Sequence, residues 1–559
     1  MYECPNCGGN LRFDIRSQQL ACGYCSGKFN PYDIIKEKDA EEQDDFEVTV
    51  FQCPQCGGEI YSTDSTAAGF CSFCGASTIL SSRLEKEKRP AFIIPFQKTK
   101  EDCKAEYIKR VRKAVFAPKE LRNPKYIDSF RGIYMPYWVY HVTQQGPLFL
   151  LGKVSHSSGD YVITDYYNLT GNLDFNYNGL SYDASVSFAD NISERIVPFD
   201  AKRMKEFTPS FLSGFYADMA DVGKDLYIEE AVNDANVQTK KYLEKELELD
   251  YYNVRGYENL SDKYHTQCQG TELAMFPVWF LCYRNKDRVA YATVNGQTGK
   301  VVADLPVKIS KYLMASLLLA VPIFFLLNVI VTVTPSVLLT VVSVIAALVL
   351  FIYERESKEI AEKEGYEDDK GALEGLRQKK VKQQAAMEAA FALEEAEPYV
   401  VTKAQLKKKE KVQRQKKVNK KIQKGKGIQN SISICFVLLY IGLTFGETLT
   451  EVLSGRTVSI IVAISTLVIS GIMGYKSTVY GKEIETQKKY PGFLCTILVL
   501  AVAMVILIWN PVSDVYYYGT VLGLLIAVVI TLLDLIRSYN ILVTRKLPQF
   551  DYRGGDDRG

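Results

Sequence analysis

The sequence is poor in histidine and carries none of the common catalytic signatures. Its 559 residues include three histidines, His141, His156 and His265, and none has a metal-ligand partner at a recognisable spacing. No phosphate-binding loop of the form GxxxxGKS or GxxxxGKT, no GxSxG elbow and no HExxH helix occurs. These absences disfavour an ATP-driven helicase, a serine hydrolase or a zinc protease. We therefore expect a protein that is not an enzyme.

A secretion signal is also missing from the first residues. Met1 is followed directly by Tyr-Glu-Cys-Pro, with neither a basic segment nor an apolar segment. Cysteines arranged in close pairs would oxidise outside the cell, so we expect reduced thiols in the cytoplasm. The formal net charge of +2 favours no class of partner.

Eight of the thirteen cysteines form two repeats near the N-terminus. Both repeats read C-P-x-C-G-G and end in C-x-x-C, and each cysteine of the second lies 49 positions after its counterpart. A tetrahedral site needs two tight turns that each present two sulfurs, and the glycines permit the positive φ of such turns. Four thiolates leave no ligand position open for water, so we predict two structural zinc ions. The predicted ligands are Cys4, Cys7, Cys22, Cys25, Cys53, Cys56, Cys71 and Cys74.

The repeats define the N-terminal domains. We place zinc ribbon 1 at residues 1–36, an acidic linker at 37–50 and zinc ribbon 2 at 51–85, with a short hairpin starting at Leu11–Ile15. Zinc ribbons bind nucleic acids, bind proteins or only stabilise a fold, and the cysteines do not distinguish these roles. The acidic linker weighs against binding to a phosphate backbone.

Residues 89–306 read as an α+β cytoplasmic domain. Apolar periodicity and turn residues predict its elements. They are a strand at Phe92–Phe96, a helix at Glu101–Val115 with Tyr107, Ile108, Val111 and Val115 on one face, a long helix at Asp218–Leu247, and a closing hairpin of Phe276–Tyr283 and Arg288–Val294 with a turn at Asn295–Gly299.

Two strand-like segments of this domain contain the same Pro-x-Trp pattern. One copy is Pro136 to Trp138 and the other is Pro277 to Trp279. Proline within a strand is confined to edges or bulges, so the pattern predicts a duplicated unit or two equivalent sheet edges. We interpret the aromatic residues as core, and an aromatic binding groove is the alternative.

The remainder of the chain alternates apolar and charged stretches. Six runs are apolar enough to span a bilayer, and lysines and arginines place both termini in the cytoplasm by the positive-inside rule. The runs are 312–331, 335–353, 432–450, 457–475, 493–510 and 516–536. We thus expect a transmembrane hairpin at 312–353, a charged cytoplasmic loop at 354–431, four helices at 432–536 and a cytoplasmic tail at 537–559.

The end of the charged loop is strongly basic. A basic helix tethered beside a membrane meets anionic lipid headgroups first, at about 1 kcal/mol per cation. A solvated charged helix and an RNA-binding segment are the alternatives. The residues predicted to contact headgroups or another anionic partner are Lys407, Lys408, Lys409, Lys411, Arg414, Lys416, Lys417, Lys420 and Lys421.

The order of motifs resembles a known family. The paired ribbons are followed by IIPFQKTKEDC, GIYMPYWVYHV, FPVWFLCY and NGQTGKV, and then by apolar helices. Over about residues 1–353 this resembles the bacterial zinc-ribbon membrane proteins of the YdjG type. The resemblance implies partnership with a PspA-like coat protein, a stomatin-like (SPFH) protein and a TPM-domain membrane protein in envelope stress. It implies no catalytic residue.

The sequence therefore predicts a multidomain protein with two small β zinc ribbons, an α+β domain and a membrane region of about six transmembrane helices. The leading hypothesis is a non-enzymatic scaffold that recruits proteins to the bacterial cytoplasmic membrane. A membrane-tethered nucleic-acid-binding protein is the second hypothesis, and a six-helix channel or carrier is the third.

Overall fold

The computed structural model describes a ribbon, a large sheet with flanking helices, and a helical region. The described residues are 2–34, 45–54, 57–62, 71, 73, 81–127, 129–158, 161–246, 264–285, 288–330, 335–366 and 491–545. The ribbon is a three-stranded antiparallel sheet of β1 (Leu11–Asp14), β2 (Gln19–Cys22) and β3 (Lys28–Phe29). The hairpin predicted from the alternating apolar residues is confirmed, because β1 pairs with β2 from Leu11 opposite Cys22.

The large sheet contains eleven strands among the described residues. Its strands are β4 (Asp45–Gln52), β5 (Glu59–Ser62), β6 (Ser81–Lys88), β7 (Phe92–Ile93), β8 (Arg131–Ser158), β9 (Tyr161–Asp183), β10 (Lys205–Glu206), β11 (Tyr216–Asp218), β12 (Thr266–Asn285), β13 (Arg288–Asn295) and β14 (Val301–Ala303). Strands β8 and β12 pair antiparallel at its centre. Strands β4 to β6, which overlap parts of the predicted second ribbon, join this sheet because β5 pairs with β11.

Both prolines of the Pro-x-Trp pattern lie on the central strands β8 and β12. The prediction of two sheet edges is wrong, and the pairing shows why proline is tolerated there. On the flank of β8, pairing with β11 ends at Tyr134 and pairing with β9 begins at Tyr137, so Pro136 falls in the gap. On β12, Pro277 falls between the segments that pair with β7 and β13. Neither missing N–H group interrupts a ladder.

The two tryptophans of the pattern are buried, as expected for core residues. Each leaves 6% of its surface exposed. The indole N–H of Trp138 donates to the carbonyl of Val222 at 2.8 Å, and that of Trp279 donates to the carbonyl of Lys98 at 2.9 Å. Each ring therefore fixes a loop against the sheet through a satisfied hydrogen bond.

Helices flank the sheet and then continue into the apolar region. They are α1 (Lys100–Lys113), α2 (Pro124–Ile127), α3 (Asp190–Ile196), α4 (Ile228–Glu246), α5 (Ile309–Ile330), α6 (Pro335–Tyr366), α7 (Pro491–Trp509) and α8 (Asp514–Val543). The predicted helix at 101–115 is confirmed as α1, which begins with a capping box between Thr99 and Asp102. Val115 lies beyond its end and is exposed. The predicted helix at 218–247 starts ten residues later, as α4.

The predicted closing hairpin is confirmed in its pairing. Strand β13 runs antiparallel to β12, and the turn at 295–299 then connects β13 to β14. The Asn295 side chain accepts hydrogen bonds from the amides of Gln297 and Thr298, both at 2.9 Å. Gly299 closes the turn with a φ of 81°, which glycine adopts without strain.

Strands β8 and β9 extend past the end of β12 as a two-stranded ribbon, here called the β8–β9 arm (residues 146–174). Pairing of β12 with β8 stops at Gln144, whereas β9 pairs with β8 as far as Ser158. Near its base the arm packs Leu148 and Leu173 against Leu243 of α4. Beyond that point it has no third strand among the described residues.

The prediction of about six transmembrane helices is wrong for the described part of the chain. Two helices there are long and apolar enough to cross a membrane: residues Gly492–Trp509 of α7, and α8. The segment Ile309–Ile323 of α5 is a shorter apolar helix. The predicted span 335–353 is only the first part of α6, which continues through a charged segment to Tyr366. Apolar content alone does not show where a helix ends. The predicted spans 432–450 and 457–475 lie outside the described residues.

The helical region is joined to the large sheet at the end of α8. The side chain of Asn540 accepts from the amide of Val307 at 2.7 Å and donates to its carbonyl at 2.8 Å. The amide of Val289 on β13 donates to the carbonyl of Thr544 at 3.0 Å. Helix α6 packs along α7 and α8 through residues such as Val342, and this joins the helices to one another. The sheet and the C-terminal end of α8 are thus bonded directly.

Candidate metal centre

Two matching backbone turns present the four cysteines of the ribbon. In the first, the amide of Cys4 donates to the carbonyl of Gly9 at 2.7 Å, and the amide of Gly8 donates back to Cys4 at 2.8 Å. In the second, Cys22 and Gly27 form the corresponding bond at 2.9 Å. Gly8 has a φ of 70°. Because each turn folds tightly around its first cysteine, both sulfurs of a pair point to the same side.

The four sulfurs converge on one point. The Sγ atoms of Cys4 and Cys25 lie 3.5 Å apart, those of Cys7 and Cys22 lie 3.4 Å apart, and all four lie within 4.8 Å of one another. A zinc ion with Zn–S bonds of about 2.3 Å places its sulfurs about 3.8 Å apart. The cluster therefore fits a tetrahedral ion, and this ribbon can hold one metal ion.

The thiols perturb one another because they are so close. Hydrogen bonds from the amides of Cys25 and Tyr24 lower the pKa of Cys22 to about 6. The amide of Gly9 lowers the pKa of Cys7, but the neighbouring thiols of Cys22 and Cys25 outweigh it and raise that pKa to about 12. Four adjacent thiols do not all ionise in the absence of a cation. A bound divalent ion would hold all four as thiolates.

The ribbon is fixed to the large sheet by aromatic packing. Phe13 of β1 and Tyr32 both meet the edge of Phe211, with ring centroids 5.4 and 5.7 Å apart. Phe211 lies in a 3₁₀ helix, Pro209–Leu212, and is 1% exposed. Two hydrogen bonds reinforce this contact. The amide of Phe13 donates to the carbonyl of Ser213 at 3.0 Å, and the hydroxyl of Ser213 donates to the carbonyl of Leu11 at 2.6 Å.

Polar contacts hold the ribbon at two further points. The hydroxyl of Ser210 donates to the carbonyl of Pro31 at 2.8 Å. The amide of the Gln18 side chain donates to the carbonyl of Phe96 at 2.7 Å, 78 positions away in the chain. Cys4 and Cys22, two of the candidate metal ligands, belong to the same apolar core as these contacts. The candidate metal centre is therefore part of a continuous core.

The second cysteine set is described only in part. The turn at Cys53 repeats that of Cys4, with the Cys53 amide donating to Gly58 at 2.9 Å and the Gly57 amide donating to Cys53 at 2.8 Å. Cys53 and Cys71 are buried. Cys56 and Cys74 lie outside the described residues, so a second metal ion stays a prediction.

The predicted basic site also stays a prediction. All nine lysines and arginines from Lys407 to Lys421 lie outside the described residues. Sequence reasoning did not identify the residues that fix the ribbon to the sheet, among them Phe211 and Gln18. Their contacts join residues 78 and 202 positions apart, which local sequence patterns do not reveal.

Comparison with known proteins gives one informative similarity. The chain is similar to the uncharacterized protein YdjG of Bacillus subtilis (strain 168). The two are 28% identical over 315 residues, which is 56% of this chain and 91% of that protein. No protein-family model matches the chain, and no solved structure matches it. The similarity supports the resemblance to the YdjG type, but it carries no information on partners.

Proposed function

We propose that this protein is a non-enzymatic zinc-ribbon scaffold that recruits partner proteins to the bacterial cytoplasmic membrane. The observation that carries the proposal is the exposed surface of the β8–β9 arm. Tyr161 and Val162 are more than 70% exposed, and Phe149 and Tyr166 are more than 60% exposed. Phe149, Val162 and Tyr166 share one face of the arm and Tyr161 lies on the other, so apolar side chains are exposed on both faces. Exposed apolar surface on a protruding element is typical of a protein-binding surface.

The arm suits protein binding better than nucleic-acid binding. Aromatic and β-branched side chains dominate its tip, and the cation Lys153 is offset by Asp165, whose carboxylate lies 3.8 Å from the imidazole of His156. Nucleic-acid binding depends on clustered positive charge along the phosphate backbone. A protein partner with an apolar surface or an open strand edge fits this arm.

The junction between the sheet and α8 supports cytoplasmic display. Helix α5 begins directly after the sheet, and α8 ends against it through Asn540. The sheet therefore lies on the same side of the membrane as the end of α8. Lys308, Lys311 and Arg537 are also near this side, which the positive-inside rule assigns to the cytoplasm. Both termini then face the cytoplasm, where thiols stay reduced.

The resemblance to the YdjG type names the partner classes to test. They are PspA-like, SPFH and TPM-domain proteins, acting in envelope stress. The metal ions in this proposal are zinc, two per chain, and they have a structural role because each set of four cysteines leaves no open position. Iron would also accept four thiolates, so metal analysis decides the identity.

The test compares partner capture by three full-length tagged versions expressed in bacteria. They are the natural chain, the double variant Tyr161→Ser with Tyr166→Ser, and the control Tyr24→Ser, which changes an equally exposed tyrosine on the ribbon. Partners are crosslinked in native membranes and identified by mass spectrometry. We expect the double variant to lose most captured protein and the control to retain it.

Two results would contradict the proposal. Capture that is unchanged in the arm variant but lost in Tyr24→Ser would assign recruitment to the ribbon. Capture that disappears after nuclease treatment would support the nucleic-acid hypothesis instead. Equal amounts of each protein in the membrane fraction are required for the comparison.

A further inference from the structure

A cavity lies where the end of α8 meets the large sheet. Its volume is about 480 Å³, within the range of small-ligand sites. Three parts of the fold enclose it: α3, strands β13 and β14, and the C-terminal ends of α6 and α8. The lining residues used below are Ile192, Glu194, Arg195, Asp304, Lys363 and Arg545.

The cavity combines an apolar wall with a charged rim. Ile192, Val302 and Leu542 supply apolar surface from three different elements. The charged side chains are three cations and two carboxylates, so the net charge is +1. A ligand that carries both a negative group and an aliphatic part matches these two surfaces.

The charges at the rim are not equivalent. Arg195 donates to both oxygens of Asp304, at 2.7 and 3.0 Å, and this pair is neutral as a unit. The Lys363 ammonium lies 5.5 Å from the centre of the Tyr539 ring. Among the described residues no carboxylate forms an ion pair with Lys363. Its charge is therefore available to an anion inside the cavity.

The position of the cavity points to the membrane surface. Helix α8 has 30 residues and is about 45 Å long, which exceeds the roughly 30 Å of a hydrocarbon core. Its C-terminal part, which includes Leu542, therefore extends past the hydrocarbon into the headgroup layer. A lipid beside this end of α8 would carry its headgroup at the level of the cavity.

We propose that this cavity binds a phosphate ester, with Lys363 and Arg545 contacting the phosphate and the apolar wall contacting the adjoining aliphatic carbons. The phosphate is carried either by a membrane phospholipid or by a soluble ester. The location at the end of α8 favours the phospholipid. This site is independent of partner binding at the β8–β9 arm.

The test measures binding to the full chain purified in detergent. The probes are short-chain phosphatidylglycerol and glycerol 3-phosphate, which share the phosphate ester and differ in the acyl chains. The double variant Lys363→Ala with Arg545→Ala removes the two cations. Arg355→Ala is the matched control, because Arg355 is on the same helix and pairs with Glu359 at 3.5 Å outside the cavity.

We expect the double variant to bind the lipid more weakly by about fivefold for each cation removed. Arg355→Ala should stay within about twofold of the natural chain. Val302→Phe, which enlarges a side chain of the apolar wall without changing charge, should also lose binding. Thermal unfolding of every variant distinguishes loss of the site from loss of the fold, and the surface variants still test the site if Val302→Phe fails to fold.

If glycerol 3-phosphate binds with the same affinity as the lipid, the cavity is still a phosphate site, but its ligand is a soluble ester. Equal lipid affinity in the natural chain and in the double variant would overturn the proposal, as would an absence of binding for both probes.

Discussion

Phe211 attaches the ribbon to the large sheet, so its replacement by alanine should weaken that attachment. This ring is 1% exposed and contacts Phe13 and Tyr32 edge to face, while the Lys205 ammonium lies 5.9 Å from its centre. Phe211→Ala deletes the ring and leaves a cavity between ribbon and sheet. The metal ligands themselves are untouched.

The expected loss follows from the burial of the ring. Replacing a buried phenylalanine by alanine costs about 3–5 kcal/mol, because transfer energy and packing are lost together. A loss of 3 kcal/mol changes the equilibrium for holding the ribbon against the sheet by about two orders of magnitude. Since Cys4 and Cys22 share the same core, the detached ribbon should release its metal more readily.

The assay follows metal transfer from the full chain to a coloured chelator. We expect transfer from the first site to be at least about tenfold faster in Phe211→Ala, a conservative fraction of the change in that equilibrium. Phe175→Ala is the control, because Phe175 stacks on Tyr177 of β9 and packs against an apolar cluster that does not include the ribbon. Equal transfer rates in Phe211→Ala and the natural chain would refute the coupling. Equal acceleration by both variants would show a general loosening of the fold.

Three further predictions concern the junction, a helix start and the metal count. Asn540→Ala should lower the stability of the sheet–helix junction by about 2 kcal/mol, measured by thermal unfolding, because two backbone groups lose their partner. Hydrogen bonds from the amide and hydroxyl of Thr99 hold the pKa of Asp102 below its usual range. The ionised carboxylate therefore stabilises α1 above about pH 4. This stabilisation is lost as the pH falls further, because the carboxylate becomes protonated. Asp102→Asn should abolish this pH dependence of the stability of α1, measured by hydrogen exchange. Metal analysis should find two zinc ions per chain, and Cys53→Ser with Cys71→Ser should leave one.

Local chemistry made part of the fold predictable from sequence. Cysteine spacing identified the four thiols that converge on one point in the ribbon, because four cysteines in two turns are typical of a metal site. Apolar periodicity likewise identified α1. In both cases the interactions that determine the structure lie within about twenty residues of one another.

Pairings between distant residues explain what could not be predicted. Pro136 and Pro277 were expected at sheet edges because proline has no N–H group to donate. Both lie on central strands instead, at positions where the neighbouring strand on one side changes, and a linear sequence does not reveal such a change. The attachment of the ribbon to Phe211 joins residues almost 200 positions apart. The extension of α6 as far as Tyr366 and its packing against α7 and α8 are likewise not encoded in apolar content.

The bond between Asn540 and Val307 has a consequence for the order of synthesis. The two residues are 233 positions apart in the chain. At about 5–20 residues per second, a ribosome needs roughly 10–50 s to reach Asn540 after it has made Val307. During that time the end of α8 has not been synthesised, so the surface of β13 near Val289 and one wall of the cavity lack the segment that packs against them. A nascent chain truncated just before Asn540 should therefore expose this surface, and factors that bind unfinished chains should find it there.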